Sequence, residues 1–293
     1  MSKILVTGAT GHLGSGIINH LLEKGVNAAD ITALVRSEKG AEKLKEKGIE
    51  TRIGSYEDAS ALTEAFKGIG TLMFVSSPDF DNTLRINQHA NVVLAARNAG
   101  ITRIVYTGIA FAETMNVAGL QYVHLATENM IKTTDIPYTF LRNGFYLENI
   151  FGNTLAAAVK SGVLVTAADN GKYNFALRDD LAIAAAVVLT ESGHENKAYE
   201  LVNSSLRTFE DYVTILSQLT GKSIKHESLS PEEAVSRLVK EGEIEPVASF
   251  NVYGLYLPIV QGQFSKESSA LEQLIGRKPT SLEDALKQAI ITQ

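Results

Sequence analysis

The stretch Ile4-Leu-Val-Thr-Gly8-Ala-Thr-Gly11-His-Leu-Gly14, followed at once by the apolar run from Ile17 to Leu22, decides the fold. It reads as a buried strand, a glycine turn and a helix. Glycine accepts positive φ and lets the backbone approach a ligand closely, and the amides that open a helix are free to hold phosphate. The pattern therefore predicts a dinucleotide-binding turn. Its spacing, G-x-x-G-x-x-G, is one residue longer between the first two glycines than the dehydrogenase fingerprint. A glycine triplet alone also serves plain turns; its place directly after an apolar strand and before a helix favours the binding turn.

Working outward, the same unit repeats. Asp30 opens a second apolar segment, Ile31 to Val35, which ends in Arg36-Ser37 and passes into a polar helix from Glu38 to Lys47. A strand over Glu50 to Ile53 precedes a helix over Glu57 to Phe66, with Leu62 and Phe66 four apart on one face. The fourth strand, Thr71 to Val75, is punctuated by Ser76-Ser77-Pro78. A helix from about Thr83 to Ala99 stops at Gly100, as a left-handed C-cap requires. Strands over Arg103 to Thr107 and Tyr138 to Arg142, separated by a helix over Tyr122 to Thr134, bring the strand number to six.

Alternating strands and helices predict an α/β fold, a Rossmann-type doubly wound parallel sheet in the order 3-2-1-4-5-6. Strands one and four are then neighbours at the switch point, and the ligand is expected between the loops that follow Val6 and Val75.

After Arg142 the pattern loosens. It predicts a helix over Glu148 to Ser161, short strands at Val163 to Val165 and Tyr173 to Phe175, an alanine-rich helix over Asp179 to Thr190 and a strand at Tyr199 to Val202. Thr208-x-x-Asp211, Ser230-Pro-x-Glu233 and Ser281-x-x-Asp284 read as capping boxes at helix starts. The expected division is residues 1–145 as the NAD(P)-binding Rossmann domain. Residues 146–293 are expected to form a smaller, mainly helical substrate or lid region that partly packs back on the sheet.

Composition sets limits. The 293 residues are 45% hydrophobic, ample for a core, and the net charge of -6 argues against a nucleic-acid footprint, which needs a basic face. With no cysteine, disulfides and thiol catalysis are excluded. The six histidines show no ligand spacing, so no metal is expected. No leader or spanning segment is visible, so a cytoplasmic protein with no membrane partner is the expectation. A homodimer is compatible with the sequence, which sets no oligomeric state.

Arg36 stands where NAD-preferring sheets carry an acid for the adenosine ribose and NADP-preferring ones a cation for the 2′-phosphate. It points to NADP(H), with NAD(H) also open, since Glu38 is near and a strand-end arginine can simply face water.

The blocks Gly8-Ala9-Thr10-Gly11-His12-Leu13-Gly14, Arg36, Asp81 to Leu84, Gln88 to Val93, Tyr106-Thr107-Gly108, His124-Leu-Ala-Thr-Glu128 and Ile136 to Asn143 together resemble the NmrA-like atypical short-chain reductases. Within them the likeness is strongest to the type 2 NAD(P)H:quinone oxidoreductases and the bacterial triphenylmethane reductases, and it continues to Leu274-Ile-Gly276. The glycine spacing is that of extended and atypical short-chain reductases.

That resemblance implies an NADPH-dependent oxidoreductase acting on a quinone or small aromatic, dye-like acceptor. It carries Gly8 to Gly14 to the pyrophosphate and Arg36 to the 2′-phosphate. Ser76 and Ser77 go to the crevice side, and Thr107, Gly108, His124, Asn143, Gly144 and Phe145 to the nicotinamide half. Counting back from Glu128, the Tyr-x-x-x-Lys dyad of ordinary short-chain dehydrogenases falls on Leu120 and His124. Without that dyad, proton exchange with an alcohol is disfavoured, whereas hydride delivery to an electron-poor conjugated acceptor needs mainly positioning.

His124 and Tyr146 are the candidate catalytic residues. His124 would orient the nicotinamide ribose or the acceptor, or else is a satisfied buried histidine. Phe80, Phe111, Phe145 and Tyr146 follow strands four, five and six, where an aromatic acceptor could stack or where a lid could pack. After strand three, Gly54-Ser55-Tyr56 lacks the acid that relatives use toward adenine. The competing function is a dinucleotide-binding redox sensor without turnover, like the fungal NmrA regulator.

Overall fold

The computed structural model describes residues 2–117, 119–150, 153–240 and 252–291. From the amino end six strands alternate with five helices: β1 (Ile4–Val6), α1 (His12–Glu23), β2 (Ile31–Val35), α2 (Glu38–Glu46), β3 (Glu50–Ile53), α3 (Ala59–Phe66), β4 (Thr71–Phe74), α4 (Asn82–Ala99), β5 (Arg103–Ile109), α5 (Leu120–Lys132) and β6 (Tyr138–Asn143). The chain continues through α6 (Asn153–Ser161), β7 (Val163–Thr166), α7 (Arg178–Thr190) and β8 (Lys197–Leu201). It then forms α8 (Phe209–Thr220), β9 (Lys225–Ser228), α9 (Pro231–Lys240), α10 (Leu257–Val260), α11 (Ala270–Ile275) and α12 (Leu282–Ile291).

The main sheet has seven strands in the order β3-β2-β1-β4-β5-β6-β8, and every pair is parallel. The expected order is found, with the strand anticipated at Tyr199 joining as β8. Parallel strands need both faces covered, and β1, β2 and β4 are buried at every position. On one face α1 buries Leu13, Ile17, Ile18 and Leu21 at helical spacing. A Cβ on Gly16 would sit 3.1 Å from that of Ala182, so small residues let α1 and α7 approach closely. On the other face Leu62 and Phe66 of α3, Val92 and Val93 of α4 and Ile131 of α5 close over Leu5, Leu72, Phe74, Ile104 and Phe140. Each such buried side chain contributes about 1.5–3 kcal/mol.

Chain division follows contacts rather than sequence order. One compact unit comprises residues 1–113, 119–143 and 178–201; the other comprises 114–118, 144–177 and 202–293. Helix α7 and strand β8 thus belong to the sheet unit. The second unit is mainly helical, with a two-stranded parallel sheet of β7 and β9.

Some expectations shift at the edges. Strands β5 and β6 run further than their apolar cores, because Gly108 pairs with Arg142 and Ile109 with Asn143. Gly100 is the left-handed C-cap of α4 at φ +75°. The strand expected at Tyr173 to Phe175 is a single antiparallel bridge between Tyr173 and Arg207, since the amide of Asn174 is spent on the Phe264 carbonyl. The helix expected over Glu148 to Ser161 is a 3-10 turn at Leu147–Asn149 and then α6; Phe151 and Gly152 lie outside the described residues. The capping boxes at Thr208 and Ser230 form, and at Ser281 the hydroxyl accepts the Asp284 N–H and donates to the Asp284 carboxylate. Among the described residues no helix is long and apolar enough to cross a membrane.

Candidate active site

Because the sheet is parallel, the loops after β1, β2, β4 and β5 leave from one edge. The first of them is the glycine turn. Gly8 adopts φ +59°, and its carbonyl accepts the Gly11 N–H at 2.9 Å, which closes the turn. Gly11 is the N-cap of α1 and carries no side chain to cap it, and no acid lies in the first helical turn. The first backbone bond of the helix is Ser15 N–H to Gly11 carbonyl, so the amides of His12, Leu13 and Gly14 precede it. A Cβ on Gly14 would lie 2.2 Å from the Gly8 carbonyl oxygen. Glycine there lets turn and helix close together, and the uncapped helix start fits an anionic pyrophosphate.

The β1–β4 junction is stitched past the end of its ladder. The hydroxyl of Thr7 accepts the Val75 N–H at 2.9 Å, and the Tyr56 phenol, reaching over from the segment after β3, donates to the Val75 carbonyl at 2.7 Å. Burial pushes that phenol above its ordinary range, so it stays protonated. Ser55, at the position of the missing acid, uses its hydroxyl oxygen to accept the Glu57 N–H within its own turn.

Arg36, at the end of β2, is exposed and makes no ion pair or hydrogen bond among the described residues. Glu38, which could have neutralised it, is bonded instead to Lys45 at 2.7 Å. A bare cation thus stands one strand away from the glycine turn.

After β4, Ser76 donates its N–H to the Thr107 hydroxyl at 2.9 Å. Ser77 is buried and turned toward α4: its N–H donates to His89 Nε2 at 2.9 Å, and its hydroxyl donates to Gln88. Since Nε2 accepts, the neutral His89 ring carries its hydrogen on Nδ1 and donates it to Thr127, whose hydroxyl donates to the Val123 carbonyl. Burial, reinforced by the Arg85 cation, pushes His89 down to about 3. None of this relay was visible in the sequence, where Gln88-His89 appeared only inside a resembling block.

Leu120 and His124 occupy the first turn of α5, four residues apart on one helical face. His124 is buried, and its Nδ1 is hydrogen-bonded to the Tyr106 hydroxyl at 2.7 Å. Burial pushes the Tyr106 phenol up and the His124 imidazole well below 6.5, with Arg85 adding to the latter. The ring is therefore neutral.

The most specific blocks of the sequence meet in one ion-pair cluster. Arg142 forks onto Glu128, with Nε to Oε1 at 2.8 Å and Nη2 to Oε2 at 2.7 Å. It also donates to Glu200 at 2.8 Å and Glu113 at 2.9 Å. These carboxylates, Glu128 first, hold the guanidinium above its usual range. Gly108 of β5 lies against this pair, where a Cβ would meet Glu128 Oε1 at 3.4 Å. Glu113 and Glu200 carried no signal in the sequence. Nearby, Phe111 adopts φ +56°, a conformation that costs an L-residue about 1–2 kcal/mol, and its N–H donates to Glu200 at 2.6 Å.

The remaining candidates are distributed as follows. Thr107 and Asn143 are buried near their strand ends. Phe80 is 81% exposed between Ser77 and Asp81, the residue that caps α4. Gly144, Phe145 and Tyr146 belong to the second unit. There the Phe145 ring packs on Phe264 at 5.7 Å, and Tyr146 bridges to Ala176.

A family model described as the NmrA-like family matches residues 1–286. The chain belongs to the NmrA-like family. This NmrA-like protein is 37% identical over 283 residues to Quinone oxidoreductase 2 of Escherichia coli, with 97% of each chain covered. The crystal structure of Citrobacter sp. triphenylmethane reductase complexed with NADP(H) matches it with a TM-score of 0.94 and 48% identity, covering 98% of this chain and 99% of that one. The NADPH-dependent quinone oxidoreductase of Escherichia coli complexed with NADPH matches at a TM-score of 0.91 and 36% identity, over 98% and 99% of the two chains. The likeness read from Gly8 to Gly14, His124 to Glu128 and Arg142-Asn143 is thus borne out over nearly the whole length.

Proposed function

We propose that this protein is an NADPH-dependent oxidoreductase that passes hydride to a quinone or to a conjugated acceptor of the triphenylmethane-dye kind. One observation carries the reading: the likeness to an NADP(H)-complexed triphenylmethane reductase extends over 98% of the chain at 48% identity. The geometry of the sheet edge supports it. Uncapped amides at His12 to Gly14 suit a pyrophosphate, and the unneutralised Arg36 suits a 2′-phosphate, so NADPH is the favoured cofactor and NADH the weaker one.

The bound nicotinamide supplies the hydride. The protein's own residues bind and orient. The glycine turn holds the pyrophosphate through amides. Arg36 reads the 2′-phosphate. Ser76, Ser77, Thr107, Gly108, Asn143, Gly144 and Phe145 are assigned to the cofactor through the resemblance, and Phe80, Phe111 and Tyr146 to the acceptor. His124 can hydrogen-bond through Nε2 but, being neutral, has no proton to release near neutral pH. The proton that completes quinone reduction therefore comes from water, and a cationic dye carbon needs none. Leu120 and a neutral His124 cannot replace a Tyr-Lys dyad, which disfavours alcohol oxidation.

The same proposal includes action in the cytoplasm, alone or as a homodimer, without a nucleic-acid or membrane partner. The net charge of -6 supports the nucleic-acid part. Purified protein is expected to consume NADPH in the presence of a small quinone or a triphenylmethane dye, followed by loss of reduced-nicotinamide absorbance. Tight NADPH binding with no turnover across both acceptor classes would favour the redox-sensor reading.

A further inference from the structure

Four non-glycine residues have positive φ among the described residues: Phe111, Asp135, Asp169 and Asn196. Asp and Asn tolerate that region through local hydrogen bonds, whereas a bulky aromatic does so only when its surroundings impose it. What imposes it on Phe111 is visible. Its amide donates to Glu200 Oε2 at 2.6 Å, while Glu200 Oε1 accepts Arg142 Nη1 at 2.8 Å. Two residues on, Glu113 is bonded to the same guanidinium through Nη2. The segment from Phe111 to Glu113 is thus tied at both ends to Arg142, which is itself fixed by its fork onto Glu128 of α5.

We propose that Glu200 is a positioning residue for the acceptor, holding Phe111 in its left-handed conformation at the carboxyl edge of the sheet, with Arg142 fixing the carboxylate. The assignment rests on the reductase reading and on Phe111 as an acceptor contact. Stability alone does not account for the arrangement. Glu128, 1% exposed, already satisfies the Arg142 fork, whereas the side chains of Glu200 and Glu113 are 24% and 66% exposed, and exposed pairs add little. Only a carboxylate can accept from both the amide and the guanidinium; a glutamine would turn an NH2 toward one of them.

The test is a double-mutant cycle on purified full-length protein with NADPH and a bicyclic quinone, using Glu200→Gln, Phe111→Ala and the pair. Glu200→Gln is expected to raise the quinone KM roughly three- to tenfold, the scale of one aromatic contact, with kcat and the NADPH KM within about twofold of wild type. Phe111→Ala should do the same, and the double variant should be no worse than Phe111→Ala alone. If Glu200→Gln does not fold, Glu200→Asp keeps the charge beside Arg142 while withdrawing the carboxylate from the amide, and should raise the quinone KM likewise. An unchanged quinone KM, additive effects, or an equal rise in the NADPH KM would overturn the assignment while the reductase reading stands. A wild-type protein with no turnover on any quinone or dye would overturn both.

Discussion

A Cβ added to Gly14 would lie 2.2 Å from the carbonyl oxygen of Gly8 and 2.7 Å from its carbonyl carbon. Both obstacles are backbone, so neither can rotate away. Gly14→Ala is therefore expected to push α1 off the turn, destabilising the protein by about 1–3 kcal/mol and displacing the amides proposed to hold the pyrophosphate. Thermal melting and an NADPH titration should show both losses together. An unchanged NADPH affinity in Gly14→Ala would mean that the turn does not hold the cofactor.

Among the described residues Arg36 has no hydrogen-bond or ion-pair partner to lose, and Glu38 is already held by Lys45. Arg36→Glu should thus act on the cofactor alone. A charge-assisted bond is worth about 1.5–3 kcal/mol, so NADPH affinity is expected to fall roughly ten- to 150-fold while NADH affinity changes little. Equal losses for the two cofactors, measured by titration, would remove Arg36 from the 2′-phosphate.

Arg142 predicts a stability effect whose size follows the burial of each partner. Its Glu128 partner is 1% exposed, so Arg142→Met strands a buried carboxylate, at a cost of about 3–5 kcal/mol. Glu113 is 66% exposed, and Glu113→Ala should change stability by less than about 1 kcal/mol. Urea unfolding of the two variants measures the contrast; similar losses would mean that burial does not set the weight of each pair.

The buried His89 gives the protein a specific acid sensitivity. The unfolded residue titrates near the ordinary 6.5 and the folded one at about 3, so between those values the unfolded state binds a proton that the native state refuses. The contribution is complete above pH 6.5 and is lost as pH falls toward 3. By about pH 5 His89 alone removes about 2 kcal/mol, and the depressed His124 acts in the same direction. Urea midpoints at about pH 7 and about pH 5 should differ less in His89→Gln than in wild type. Identical slopes would show that another group carries the acid effect.

The sheet was legible because its signals are local. Apolar runs closed by Gly8, by Arg36-Ser37 and by Ser76-Ser77-Pro78 located β1, β2 and β4, and Gly100 marked the end of α4. Strand β9 was not legible, because Lys225–Ser228 is polar and becomes a strand only through pairing with β7. The site divides in the same way. The glycine turn and Arg36 announce themselves by residue type and place. The His89 relay joins residues 77, 89 and 127, and the Arg142 cluster joins residues 113, 128, 142 and 200, so both exist only after the strands are in register. From the blocks at His124 to Glu128 and Arg142-Asn143 the sequence proposed His124 and Asn143 for the cofactor; that Glu128 and Arg142 pair with each other emerges only in the structure.

His124 provides the sharpest test of the hydride mechanism. A proton donor of ordinary histidine acidity would give kcat/KM a limb near pH 6.5 that disappears on substitution. The buried ring, held neutral and hydrogen-bonded to Tyr106, predicts no such limb. His124→Gln should lower kcat/KM for a quinone by roughly two- to tenfold, the worth of one neutral hydrogen bond, and leave the pH profile between about 6 and 8 unchanged in shape. Solvent deuterium should likewise slow the wild type and His124→Gln to the same degree, because water supplies the proton in both. A pH limb present in the wild type and absent from His124→Gln would instead make the imidazole the proton donor, and with it the neutral, orienting role would fall.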